Sequence, residues 1–86
     1  MQQPPPQLDN AKVLRWVISE RGAFYFIGEA AVAAMAVCQY VPGEFYLFKC
    51  TADWTVIQDM DHTSLDECLE HAAQFANGER LVWQER

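Results

Sequence analysis

Residues 63–78, TSLDECLEHAAQFANG, decide how the rest of the chain is read. Leu65, Cys68, Leu69, Ala72, Phe75 and Ala76 recur at steps of three and four, which puts them on one face of an α-helix. Asp66, Glu67, Glu70, His71, Gln74 and Asn77 fall on the other faces. Ser64 followed by Glu67 has capping-box spacing: the hydroxyl can accept an amide hydrogen of the first turn while the carboxylate reaches back. Asp66 and Glu67 place negative charge where the helix dipole favours it, and Gly78 can adopt the left-handed conformation that ends a helix. An amphipathic helix needs an apolar surface to lie on, and the preceding residues supply one.

Working back from the helix, Trp54 to Met60 reads as a strand with Trp54, Val56 and Met60 on one face, and Phe45–Cys50 (FYLFKC) as the strongest strand of the chain. Val41-Pro42-Gly43-Glu44 is a hairpin turn. Ala30 to Tyr40 has the alanine content of a helix but leads directly into that turn, so it is read as a strand from about Val32. Gly28-Glu29 is a turn after the strand Phe24–Ile27. Residues 10–21 carry two patterns: Leu14, Trp16 and Ile18 alternate as in a half-buried strand, while Val13, Leu14, Val17 and Ile18 form a helical stripe. The β-branched residues and Trp16 favour strand. Residues 1–9, with three consecutive prolines among glutamines, read as a disordered Pro-rich tail before a single domain at 10–86. After Gly78, Arg80–Trp83 adds a short edge strand or packs Trp83 on the core. The expected fold is α+β: an antiparallel meander of four or five strands with one helix at 64–77 across one face.

Phe24–Ile27, Val32–Tyr40 and Phe45–Phe48 are apolar on both faces instead of alternating. One helix covers one face of two or three strands, since strands lie about 4.8 Å apart and a helix is about 10 Å wide. The second face then needs a cover of its own, because monomers seldom expose a large apolar patch. A second helix at 10–21, closure of the sheet or another chain would each supply it. On the last reading Tyr46 and Phe48 form a dimer interface.

Twelve acidic and six basic side chains give a net charge of −6. Residues 50–78 hold Asp53, Asp59, Asp61, Asp66, Glu67 and Glu70 and no Lys or Arg, so the whole net charge belongs to this segment. Direct nucleic-acid binding and an anionic membrane surface are disfavoured, and a protein partner with a basic surface is favoured. These six acids are the candidate partner-binding residues. The N-terminus lacks the pattern of a signal peptide, and the longest apolar run is nine residues, so a cytoplasmic protein is expected.

Cys38, Cys50 and Cys68 are odd in number and far apart in sequence, which points to buried free thiols instead of disulfides or a structural zinc site. His62 and His71 stand among acids but in no metal-ligating pattern, and no serine or cysteine has a nucleophile context. No metal, cofactor or catalytic residue is therefore assigned, and a non-enzymatic role is expected. The strands, the lone Trp opening Trp54-Thr55-Val56-Ile57 and the capped TSLDECLEHAAQFA helix resemble small acidic accessory proteins of phages and other mobile elements. The likeness covers roughly residues 53–77. It implies a binding role, including inhibition of host defence or toxin machinery in the manner of anti-CRISPR and immunity proteins. A homo-oligomeric structural or small-ligand-binding protein is the alternative.

Overall fold

A computed structural model describes all 86 residues. In chain order the elements are β1 (Gln7–Leu8), β2 (Ala11–Ile18), β3 (Tyr25–Ile27), β4 (Ala30–Val32), β5 (Ala34–Gln39), β6 (Phe45–Cys50), β7 (Val56–His62), α1 (Leu65–Gln74) and β8 (Gln84–Glu85). The architecture is α+β. An antiparallel sheet runs β1-β2-β5-β6-β7, and β8 pairs with β2 further along the strand than β1 does. The expected four or five strands are thus eight, because short strands edge the sheet and β3–β4 form a separate two-stranded hairpin.

Residues 11–18 are a strand, and their double pattern has a structural cause. The pairing of β2 with β5 shifts between Val13 and Arg15, leaving Leu14 as an extra residue. Such a bulge restarts the alternation out of phase. Val13 and Trp16, three residues apart, therefore join the same hydrophobic cluster, as they would on a helix. A second shift, between Lys49 and Cys50, leaves Ile57 extra on β7. The expected face of Trp54, Val56 and Met60 is broken for that reason. Val56 pairs with Cys50, Met60 pairs with Leu47 on the opposite face, and Trp54 sits before the strand at φ 65°.

β5 is buried on both faces. Ala34, Ala36 and Cys38 look to one side and Met35 and Val37 to the other, all fully inaccessible. On the Met35–Val37 side lies α1, whose Cys68 and Ala72 reach the sheet, with Leu65 and Leu69 half-buried beside them. The small side chains at 68 and 72 let the helix axis approach closely. Ser64 caps the helix, its hydroxyl accepting the Glu67 amide hydrogen at 3.1 Å. The Glu67 carboxylate reaches back to Thr63, accepting from its amide at 3.2 Å and its hydroxyl at 2.9 Å. The far end is tied down by Arg21, which donates to the carbonyls of Ala76 and Asn77. Glu79 completes the tie, accepting from Ser19 Oγ, the Glu20 amide and Arg21 Nε, and these donors hold its carboxyl below the usual range.

The other face is covered by the N-terminal segment, which corrects the expected disordered tail. Asp9 and Asn10, at φ 48° and 67°, make the two-residue turn that joins β1 to β2. Two positive φ values are what a hairpin of this length requires, and Asp and Asn tolerate them. Leu8 and Pro4 are buried. The Val13 amide donates to Pro6 O at 2.9 Å, and the Trp54 indole Nε1 donates to Gln2 O at 2.9 Å. Arg86 lies over the Trp16 ring and donates to the carbonyls of Pro4 and Pro5. Proline suits such a strap, because it offers carbonyl acceptors along a stiff extended backbone.

Removing residues 1–6 should therefore destabilise the fold by about 2–4 kcal/mol, the scale of uncovering one or two large side chains. Urea melts followed by tryptophan emission check this. The expected outcome is a lower midpoint with a red-shifted native spectrum, since Trp54 loses its cover.

Candidate functional site

The structure does not gather the six candidate acids into one patch. Asp53 lies in the turn between β6 and β7, where its carboxylate accepts from Thr51 Oγ1 and from the amide and hydroxyl of Thr55. These donors pull its carboxyl below the usual range, so its role is to shape the turn. Glu67 is occupied as the capping partner of Thr63. Asp59 and Asp61 are exposed on β7, opposite Phe48 and Tyr46, and so stand on the face away from the helix. Asp66 and Glu70 are exposed on α1, on the helix side. Four free carboxylates thus flank β7 from two sides. β7 is the last strand of the sheet, and its outer backbone edge is unpaired.

The expected dimer residues fare differently. Phe48 is 1% exposed and belongs to the cluster of Leu8, Trp16 and Trp54 in its own chain. The N-terminal cover removes it from any interface of the folded protein. Tyr46 is half-buried, edge-on to Tyr40 at 5.2 Å and to Phe48 at 6.2 Å.

A second constellation lies under the C-terminal half of α1. Lys49 is 1% exposed. The alternation of Phe45, Leu47 and Lys49 along β6 points its side chain toward the helix. Its Nζ lies 3.5 Å from the Phe75 ring centroid and 5.5 Å from that of Tyr25, and it donates to Gln58 Oε1 at 3.0 Å. The two rings are themselves packed at 5.3 Å. An ammonium over aromatic faces is stabilised by their quadrupoles, by about 2 kcal/mol when desolvated. Burial away from water lowers the Lys49 pKa. His71, one helical turn before Phe75, sits edge-on to that ring at 4.9 Å and shares a 2.9 Å hydrogen bond between its Nδ1 and Nε2 of His62. Burial, then Lys49, then His62 lower the His71 pKa.

The sequence pattern assigned no role to His62, His71 or Lys49. The signal was present: Lys49 is in phase with Phe45 and Leu47, and His62 follows Gln58 and Met60 at strand spacing on that same face. None of the three surface clefts is lined by Lys49, His62 or His71. All three cysteines are buried and unpaired; burial pushes the Cys50 and Cys68 thiols up to about 12 and raises that of Cys38 further. They are inert packing groups. No helix is long and apolar enough to cross a membrane. No family model matches the chain, and no match was found among curated proteins or solved structures.

Lys49→Met keeps the length of the stem and removes a desolvated charge. It should leave stability unchanged or raise it by about 1 kcal/mol, as when buried charges give way to apolar groups of similar volume. Chemical denaturation at neutral pH checks this, and a loss of several kcal/mol would mean that the ammonium holds the helix end down.

Proposed function

We propose that this protein is a non-catalytic binding module that engages the basic surface of a protein partner along β7. The observation that carries the reading is the conjunction at this edge: an unpaired seven-residue strand with Asp59 and Asp61 exposed on one side and Asp66 and Glu70 on the other. An unpaired strand edge offers backbone donors and acceptors to an incoming extended segment. Its carboxylates speed the encounter with a basic partner and reject like-charged ones. They also disfavour a second copy, since antiparallel pairing of two β7 edges would bring aspartates of both strands close together. The homo-oligomeric alternative through the second face has lost its support, because that face is covered from within the chain.

Charged side chains on an edge strand also protect it against aggregation. The two roles differ in what they ask of the carboxylates, and charge reversal separates them. In the inhibitory form of the reading, suggested by the likeness of residues 53–77 to phage accessory proteins, the module blocks its partner by covering a basic functional surface.

The test is the double variant Asp59→Lys/Asp61→Lys. Both positions are exposed and make no side-chain hydrogen bond or ion pair within the chain, so the melting temperature should change by no more than about 3 °C. A partner cross-linked to and purified with the wild-type protein should associate with the variant at least about tenfold more slowly, with a weaker dependence on salt. Equal association rates with equal salt dependence would refute the docking role and leave the acids as solubilising groups.

A further inference from the structure

His62 Nδ1 is the one buried side-chain nitrogen or oxygen in the protein without a hydrogen-bond partner. That orphan fixes how protons sit in the histidine pair. A buried N–H without an acceptor is costlier than a bare lone pair, so His62 carries its hydrogen on Nε2 and donates it to His71 Nδ1. A further proton has no good place to go. On His62 Nδ1 it would be a buried charged donor with no acceptor. On His71 Nδ1 it would face the Nε2 hydrogen across 2.9 Å and break the bond that joins the rings. A swap of the shared hydrogen only returns the orphaned donor to His62.

We infer that His62 and His71 form a proton-operated latch on α1, which holds the helix against β7 while both imidazoles are neutral and loosens when either is protonated, with the Lys49 ammonium as the nearby charge that opposes a further proton. The inference is independent of the docking reading. The groups around the pair all point the same way. From β6 comes the Lys49 ammonium, whose positive charge opposes a second one nearby. From β7 comes Gln58, whose oxygen is already taken by Lys49. From β3 comes Tyr25, whose phenol is held neutral by burial. On α1 itself stand Phe75, against the His71 ring, and the carboxylates of Glu67 and Glu70. Both of these are exposed, and Glu67 is engaged by Thr63. Asp59 and Asp61 lie on the far face of the sheet.

The sign of the effect follows from linkage. A histidine whose pKa is lower in the folded than in the unfolded chain binds fewer protons when folded, so stability is lost as the pH falls. The loss begins near the unfolded value of about 6.5 and levels off below the folded one. Each ring kept neutral makes the folding equilibrium about tenfold less favourable at pH 5.5 than at pH 7.5. His62 and His71 are the only histidines, so no other side chain has its ordinary titration in this window.

The experiment is a set of urea denaturations of the full chain between pH 5.5 and 7.5, with imidazole nitrogen shifts followed by NMR over the same range. The folding constant should fall toward the acid end, by up to about tenfold for a ring that stays neutral throughout. The His71 ring should titrate below the free value of about 6.5, with the amides of Cys68–Gln74 gaining exchange first. Lys49→Met should make the pH dependence shallower, because one of the charges opposing protonation is gone. Flat or rising stability toward pH 5.5, or a His71 ring titrating at or above the free value in the wild-type protein, would overturn the latch.

Discussion

A strand with two apolar faces must be covered twice, and this small domain is built around that constraint. β5 and the inner half of β6 have almost no exposed surface, and the side chains of β5 leave the sheet in both directions as apolar groups. One cover is α1, held at its start by Ser64 and Glu67 and at its end by Arg21 and Glu79. The other is the proline-rich segment, turned back by Asp9 and Asn10 and fastened by carbonyls that accept from Val13, Trp54 and Arg86. A chain of this length has little apolar area to spare. Both covers are therefore needed, and neither could be lost without exposing tryptophan, phenylalanine or methionine to water.

The two covers differ in chemistry. The N-terminal strap meets alanine, cysteine and tryptophan, with hydrogen bonds only from groups that keep one charge at physiological pH. Beneath α1 the surface is not purely apolar: Lys49, His62 and His71 meet there, and burial lowers the pKa of Lys49 and of His71. Perturbed groups of this kind concentrate where a protein does something beyond folding. The helix is the element whose attachment depends on protons. The adjoining β7 edge is where backbone groups and carboxylates remain free for a partner.

Much of this was legible in the sequence, and the failures have physical causes. The helix, its cap and its apolar stripe followed from spacing alone, as did the strand pair around Val41–Glu44, because local rules decide both. The identity of residues 11–18 was obscured by Leu14, whose bulge gives a strand a helix-like three-residue step. The covering role of residues 1–8 was hidden because Gln and Pro look like solvated tail; the informative signal was the Asp9-Asn10 pair, a turn dipeptide between Leu8 and Ala11. The spacing of the six acids does not show where they stand in space. Two of the six serve a turn and a cap, and the rest divide between opposite sides of β7. Lys49 received no role, although its phase with Phe45 and Leu47 places it inside.

The double cover is tested most directly by native-state hydrogen exchange of two protons that belong to the N-terminal cover, the Val13 amide bonded to Pro6 and the Trp54 indole bonded to Gln2. If the segment is an integral part of the fold, both should exchange only by global opening, with the same free energy and urea dependence as the amides of Ala36 and Val37 in β5. Exchange of both protons several hundredfold or more faster than that, roughly 3–4 kcal/mol less protection and insensitive to urea, would mean that the segment frays freely and the second face of the sheet stands open.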